Sequence, residues 1–269
     1  PATLRRQRQM CIRDSDHTPG FGSAAKYVAQ LFSGINYDVK SLPGVYIGVV
    51  MGRHAGFLTA SSALLRQNNN DGPHLIYLPE FSFSYQSFLE DIKKTYIRHG
   101  KCIIAVSEGI QNKNKKLVSQ EISKTKEYDA HGNIQLSGSG SLGDFLAQQI
   151  KSKLKLPRVR ADTLGYPQRS FLGSTSEVDQ KEAFEIGKFA VKKALQVSHS
   201  FSAGIEERKV LSKPYKVSFR INLLKDVAGQ TKVMSKDFYN HKQNFITKKF
   251  INYALPLIGK NITQTKSII

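Results

Sequence analysis

Three short stretches of the sequence carry the residue types that handle phosphate and hydroxyl groups. Gly52-Arg53-His54-Ala55-Gly56 is a basic turn bracketed by glycines. Leu78-Pro79-Glu80 ends on a carboxylate, and Gly165-Tyr166-Pro167-Gln168-Arg169 adds a phenol, an amide and a second guanidinium. A guanidinium fork matches phosphate oxygens, and a carboxylate accepts hydrogen bonds from hydroxyls. Together the set suits a phosphorylated polyol. If the first turn opens a helix, its free N–H groups and positive dipole end join Arg53 in an anion site. An ordinary strand–helix turn with a surface Arg would use the same residues, and spacing alone leaves both readings open.

The surrounding pattern supplies elements that can hold these loops. Val45 to Met51 is apolar except for Gly48 and contains four Val or Ile residues, the composition of a buried strand in a parallel sheet. Phe57, Ala60 and Leu64, with Leu58 and Leu65 beside them, have helical spacing. His74 to Leu78, Lys101 to Val106 and Val159 to Leu164 read as further strands, with helices over Phe88–Ile97 and Leu142–Leu154 between them. The third strand finishes at Ser107-Glu108-Gly109. Glu80 then lies at the C-terminal end of a parallel strand, where open α/β sheets place ligands. Upstream, Ser23 is the expected N-cap of a helix through Ala24, Tyr27, Val28, Leu31 and Ile35. Ser176 caps another helix, whose Ala183, Gly187, Ala190, Val191 and Ala194 form a tightly packable face. Lys113 to Asn133 reads as a surface excursion, Tyr215 to Leu224 as a strand and Thr247 to Leu257 as a short helix. The alternation indicates an α/β protein.

Composition narrows the field. The chain has 269 residues, 40% of them hydrophobic, enough for a sizeable core. No apolar run is long enough for a membrane span, so a membrane partner is not expected. Cys11 and Cys102 make neither a disulfide framework nor a metal cluster. This suits a reducing, cytoplasmic setting. The net charge of +19 invites a nucleic-acid partner, yet zinc-finger spacing, an RNP-like aromatic motif and a basic region with heptads are all missing. A basic enzyme that handles several phosphate groups explains the charge as well. Residues 1–15 carry four Arg without periodicity and read as a non-native or disordered leader.

Beyond these readings, the ordered segments closely resemble the phosphofructokinase family. DHTPGFGSAAKY is similar to the segment that follows that family's catalytic loop. MGRHAG resembles its sugar-phosphate motif, LPE its acidic sugar-contacting motif and RADTLGYPQRS its second phosphate-binding motif. SEVDQKEAFEIGKFAVKKAL and YALPLIGK also match, so the resemblance runs from Asp16 to about Lys260. It implies three-layer, parallel-sheet α/β domains with the N-terminal part missing. The implied division is a linking helix at 16–40, a sugar-phosphate-binding domain at 41–165, a return to the donor-side domain at 166–200 and an extension at 201–269.

The resemblance also implies roles. Met51, Gly52 and Arg53 would contact fructose 6-phosphate, and Arg53 would offset charge on the transferred phosphoryl group. Glu80 would accept from sugar hydroxyls, and Arg160, Tyr166 and Arg169, with Gln168 among them, would bind the 6-phosphate. Many bacterial ATP-using members have His where Tyr166 stands, and Tyr166 is similar to the diphosphate-using and long forms. The donor would be diphosphate, with ATP as the alternative, assisted by Mg2+ whose ligands lie outside this chain. A homo-oligomer is implied because a neighbouring subunit often completes the second phosphate site. The departures are as informative. The Gly-Gly-Asp donor loop and the Thr-Ile-Asp-Asn-Asp segment with the general base are absent, and RQRQMCIRDS stands where the base is expected. Asp14 does not restore it, Val49 replaces a frequent Glu, and Gly44 replaces a basic residue of the ATP-using forms. The expectation is a chain that keeps much of a sugar-phosphate site but does not catalyse alone. A non-catalytic sugar-phosphate-binding or regulatory subunit and a nucleic-acid-binding protein are the rival readings. Residues 16–40 and 166–200 are expected to expose apolar surface.

Overall fold

A computed structural model describes residues 15–122, 140–209, 211, 214–227 and 231–262. Helix α1 (Phe21–Ser41) leads into strand β1 (Val45–Val50), then a four-residue helix α2 (Phe57–Ala60) that tightens into a 3-10 turn over Ser61–Ala63. Strand β2 (Leu75–Tyr77), helix α3 (Tyr85–His99), strand β3 (Cys102–Ser107), helix α4 (Val118–Ile122), helix α5 (Ser141–Leu154) and strand β4 (Val159–Thr163) follow. Helices α6 (Pro167–Ser170) and α7 (Glu177–Ala194) precede the antiparallel pair β5 (Phe201–Ile205) and β6 (Phe219–Leu223). Helix α8 (Leu224–Val227), the short pair β7 (Tyr239–Asn240) and β8 (Phe245–Ile246), and helix α9 (Lys248–Ala254) complete the order.

The four strands β1 to β4 form one parallel sheet in the order β2-β3-β1-β4. Strand β1 is central, and all six of its residues are buried, which is why it reads as a continuous apolar run rather than an alternating one. The alternation shows instead in the layer each side chain joins. Tyr46 and Val50 pack with Val28, Ala29 and Phe32 of α1. Val45, Ile47 and Val49 pack with Phe88 and Ile92 of α3 and Leu146 and Ile150 of α5. Helix, sheet and helix thus make the three layers. At Gly48 helix α1 packs close against the strand, since a Cβ there would stand 2.5 Å from the Phe32 ring.

The core on the α1 face also takes in Phe57 and Leu58 and a C-terminal group that includes Phe238, Phe250, Tyr253 and Leu257. Strand β8 covers the outer edge of β2. Ile76 donates its N–H to the Asn244 carbonyl at 2.8 Å, and the Tyr239 hydroxyl donates to the Ile76 carbonyl at 2.6 Å. That leaves β4 as the other edge.

Several local expectations are corrected. The helix expected over Phe57 to Leu65 is only one turn of α-helix, because Ser61 and Ser62 hydroxyls bond back to the Phe57 and Thr59 carbonyls at 2.8 and 2.6 Å. Ser23 is not an N-cap. Helix α1 begins three residues earlier, after Gly20 at φ 102°, and Asp179 of α7 caps it by accepting from Gly20 N–H, Ser23 N–H and Ser23 Oγ. The strand expected at Tyr215 starts at Phe219, and its partner β5 was not foreseen. Ser176 does cap α7, but Ala183, Gly187, Val191 and Ala194 are exposed rather than packed. Residues 166–200 show the expected apolar surface at Phe171, Leu172, Phe184, Val191 and Leu195. Residues 16–40 do not, since α1 is buried along one whole side. Residues 1–14 and the 123–133 part of the surface excursion lie outside the described residues. Ser15 is buried, and its hydroxyl accepts from Ile205 N–H at 3.1 Å.

Candidate functional site

Parallel pairing brings the C-terminal ends of β1, β3 and β4 to one edge of the sheet. In register, Val50 faces Ser107 and Val49 faces Thr163, so the residues that follow each strand meet. Met51 donates its N–H to Gln168 Oε1 at 3.1 Å, and Gln168 Nε2 donates to the Gly165 carbonyl at 2.8 Å. Gln168 is 1% exposed. Its amide therefore ties the turn after β1 to the turn after β4.

Gly52 stands at φ 150°, where a Cβ would lie 2.6 Å from the Ala55 carbonyl oxygen. Only glycine takes that position without strain. Its N–H donates to Glu108 Oε1 at 3.3 Å, and its carbonyl accepts from Ser107 Oγ at 2.5 Å. Burial pushes the Glu108 carboxyl up, while the Gly52 N–H and the charges of Arg53 and Arg169 oppose that rise. Arg169 also lies over the exposed Tyr166 ring, 4.5 Å from its centroid. Burial and then the charge of Arg53 lower the pKa of His54.

Glu80 joins this group through the far end of the same turn. Its Oε1 accepts from Gly56 N–H at 2.9 Å and from Met234 N–H at 3.0 Å. Its Oε2 is buried with no hydrogen-bond partner. Burial raises the carboxyl pKa, and the N–H groups of Gly56, Met234 and Glu80 itself oppose the shift. The Gly56 N–H is thus committed to a carboxylate. With α2 only four residues long, the expected helix-start anion site does not form.

Met51, Gly52, Arg53, Gln168 and Arg169 are brought together, with Glu80 tied to the same turn and Tyr166 under Arg169. Arg160 is not with them. It sits on edge strand β4 opposite Tyr46, exposed beside Asp144, Gln148 and Lys151. The register places it four residues before the end of β1, roughly 13 Å along the strand. Sequence reasoning missed Glu108. The available signal was a carboxylate directly after an apolar strand, the same signal that Glu80 gave.

The sequence pattern described as Phosphofructokinase matches residues 12–194. The chain belongs to the phosphofructokinase family. It is similar to the pyrophosphate–fructose 6-phosphate 1-phosphotransferase of Rhodospirillum rubrum, with 49% identity over 248 residues covering 92% of this chain and 60% of the relative. It is also similar to the enzyme of the same name from Xanthomonas campestris pv. campestris, 36% identical, covering 91% of this chain and 57% of the relative. Among solved structures, the pyrophosphate-dependent phosphofructokinase of Nitrosospira multiformis superposes with a TM-score of 0.78 at 28% identity. That likeness covers 97% of this chain and 60% of the other. The chain therefore spans about 60% of the length of these relatives. Its three-layer parallel α/β fold is the fold of the family. Among the described residues no group of three His, Cys, Asp or Glu could hold a metal ion, and no helix is long and apolar enough to cross a membrane.

Proposed function

We propose that this chain forms the sugar-phosphate side of a diphosphate-dependent phosphofructokinase that acts on fructose 6-phosphate. The observation that carries the reading is that Gln168 ties together the two turns that carry Arg53 and Arg169, both of whose charges act on Glu108, while the far end of the first turn is tied to Glu80, with one buried oxygen of Glu80 still unpartnered. A phosphate group suits the guanidiniums. A sugar hydroxyl suits an oxygen that lacks a donor, because a buried acceptor without one costs about 1–3 kcal/mol.

In this reading Met51 and Gly52 shape the contact with fructose 6-phosphate, and Arg53 offsets charge on the phosphoryl group in transit. Arg169, braced on Tyr166, binds the 6-phosphate, and Gln168 holds the two turns in place. Arg160 serves a neighbouring subunit's 6-phosphate from the exposed edge of β4, which makes the enzyme a homo-oligomer. Diphosphate is the donor favoured by the names of the most similar relatives, with ATP as the alternative. The reaction would be the phosphorylation of the sugar's 1-hydroxyl in glycolysis, in the cytoplasm. Mg2+ would neutralise the donor, but the described residues offer no ligand set for it. The general base is likewise absent from the matched motifs.

The purified chain should therefore bind fructose 6-phosphate and fail to phosphorylate it. A coupled assay with diphosphate and with ATP, each with Mg2+, tests this. Turnover by the chain alone would overturn the assignment of the base and donor loop to a missing part.

A further inference from the structure

The sugar-phosphate reading leaves the carboxylate of Glu108 without a task. Glu108 is 9% exposed, and it does more than accept one hydrogen bond. With Ser107 it holds both the N–H and the carbonyl of Gly52. Next to it, Gly109 lies so close that a Cβ there would stand 2.1 Å from the Arg53 carbonyl oxygen and 2.5 Å from that of Gly52. Ser107-Glu108-Gly109 thus lies flush against the Gly52–Arg53 peptides. Glycine at φ 150° imposes little conformation of its own, so the direction in which Arg53 leaves the backbone is set by this neighbour. The charged groups that act on Glu108 are Arg53 and Arg169, the two guanidiniums a phosphate would need.

We propose that Glu108 is a positioning residue of the anion site. It latches the Gly52–Arg53 turn through the Gly52 N–H, and it serves as the internal counter-ion of Arg53 and Arg169 until the phosphate of the sugar takes over that field. This inference rests on the sugar-phosphate reading above. The two roles separate by substitution. Glu108→Gln keeps an acceptor for Gly52 and removes the charge that competes with phosphate, so affinity for fructose 6-phosphate should rise roughly three- to tenfold. Glu108→Ala removes the latch as well, so the turn loosens and the gain disappears.

Two measurements on the full chain test this. Hydrogen exchange of the peptide spanning residues 51–57, without ligand, should speed up in Glu108→Ala and in Ser107→Ala but not in Glu108→Gln. Unchanged exchange in both alanine variants overturns the latch, and Ser107→Ala keeps that arm open if Glu108→Ala does not fold. Calorimetry with fructose 6-phosphate should show the tighter Glu108→Gln complex, and equal or weaker binding overturns the counter-ion role. A wild-type chain that binds no fructose 6-phosphate overturns the sugar-phosphate reading itself. Titration with inorganic phosphate then decides the counter-ion role: tighter binding by Glu108→Gln supports it, and binding that is no tighter overturns it.

Discussion

Arg208→Met should be among the most damaging single substitutions outside the site. The Asp16 carboxylate is almost fully buried. It accepts from Arg208 Nε at 2.9 Å, Arg208 Nη2 at 2.8 Å, the Arg208 backbone N–H at 3.3 Å and His17 Nδ1 at 2.9 Å. His17 Nε2 continues the chain to Glu182 at 2.7 Å, and the Tyr215 hydroxyl donates to the other oxygen of Glu182. The guanidinium also lies 4.6 Å from the centroid of Tyr253. Methionine keeps the length and the backbone N–H but loses both guanidinium bonds to Asp16, and breaking a buried ion pair from one side costs about 3–5 kcal/mol. Set against a typical domain stability of about 5–15 kcal/mol, that is a large share.

The same network fixes the pH dependence. Burial alone would push the Asp16 carboxyl up, but the His17 hydrogen bond and then the charge of Arg208 outweigh it and bring the pKa down to about 2. A folded pKa below the unfolded one gives stability that is complete above the ordinary value near 3.8 and lost as pH falls toward 2, on the order of 2 kcal/mol. His17 has the opposite sign. Burial lowers its pKa, but bonds to Asp16 and Glu182 raise it overall. Its contribution is therefore complete below about 6.5 and declines as pH rises through the folded value. Urea midpoints should be highest between about pH 4 and 6.5, and Arg208→Met should lower that plateau and shrink the acid limb. Arg208→Lys should recover only part, because one ammonium cannot reproduce the two-point contact. A loss below about 1 kcal/mol with the acid limb unchanged would refute the reasoning.

Three further outcomes are expected. Burial holds the Glu80 carboxyl above its ordinary value, so folding opposes its ionisation, and stability linked to it falls as pH rises from the unfolded toward the folded pKa. Glu80→Gln keeps an acceptor for Gly56 and Met234 without that cost. By thermal melting at pH 7 it should match or exceed wild type, while its fructose 6-phosphate binding falls. Gln168→Leu strands the half-buried Met51 N–H and Gly165 carbonyl. The loss should be about 1–3 kcal/mol in urea titrations. Phe184 and Leu195 are 65% and 86% exposed, so Phe184→Glu with Leu195→Lys should change stability by less than about 0.5 kcal/mol. Light scattering should show less association in that variant.

Much of the sheet was legible because β1, β2 and β3 are buried on both faces and therefore spell unbroken apolar runs, whereas the half-exposed edge strand β4 does not. The strand order was not legible, and with it went Glu108, whose role exists only because β3 pairs with β1 and sets Ser107 beside Val50. Glu80, Gln168 and Arg169 were singled out by type and position after strands. The sequence did not reveal that Gln168 would spend its amide on two backbones, or that Glu80 would take the Gly56 N–H. Ser23 misled for a related reason. Its hydroxyl looked like a local cap, while the real cap, Asp179, comes from a helix 156 residues away. The Asp16–His17–Glu182–Arg208 network was hidden in the same way, since Asp16 and Arg208 are 192 residues apart.

The central claim is that Arg53 and Arg169, set by β1, β3 and β4, form one sugar-phosphate site in this chain. Calorimetric titration of fructose 6-phosphate into the purified chain tests it directly, with Arg53→Ala and Arg169→Ala run beside it. Saturable one-site binding that each substitution weakens roughly tenfold or more is the predicted result. No binding by the intact chain, or binding that both substitutions leave unchanged, would contradict it.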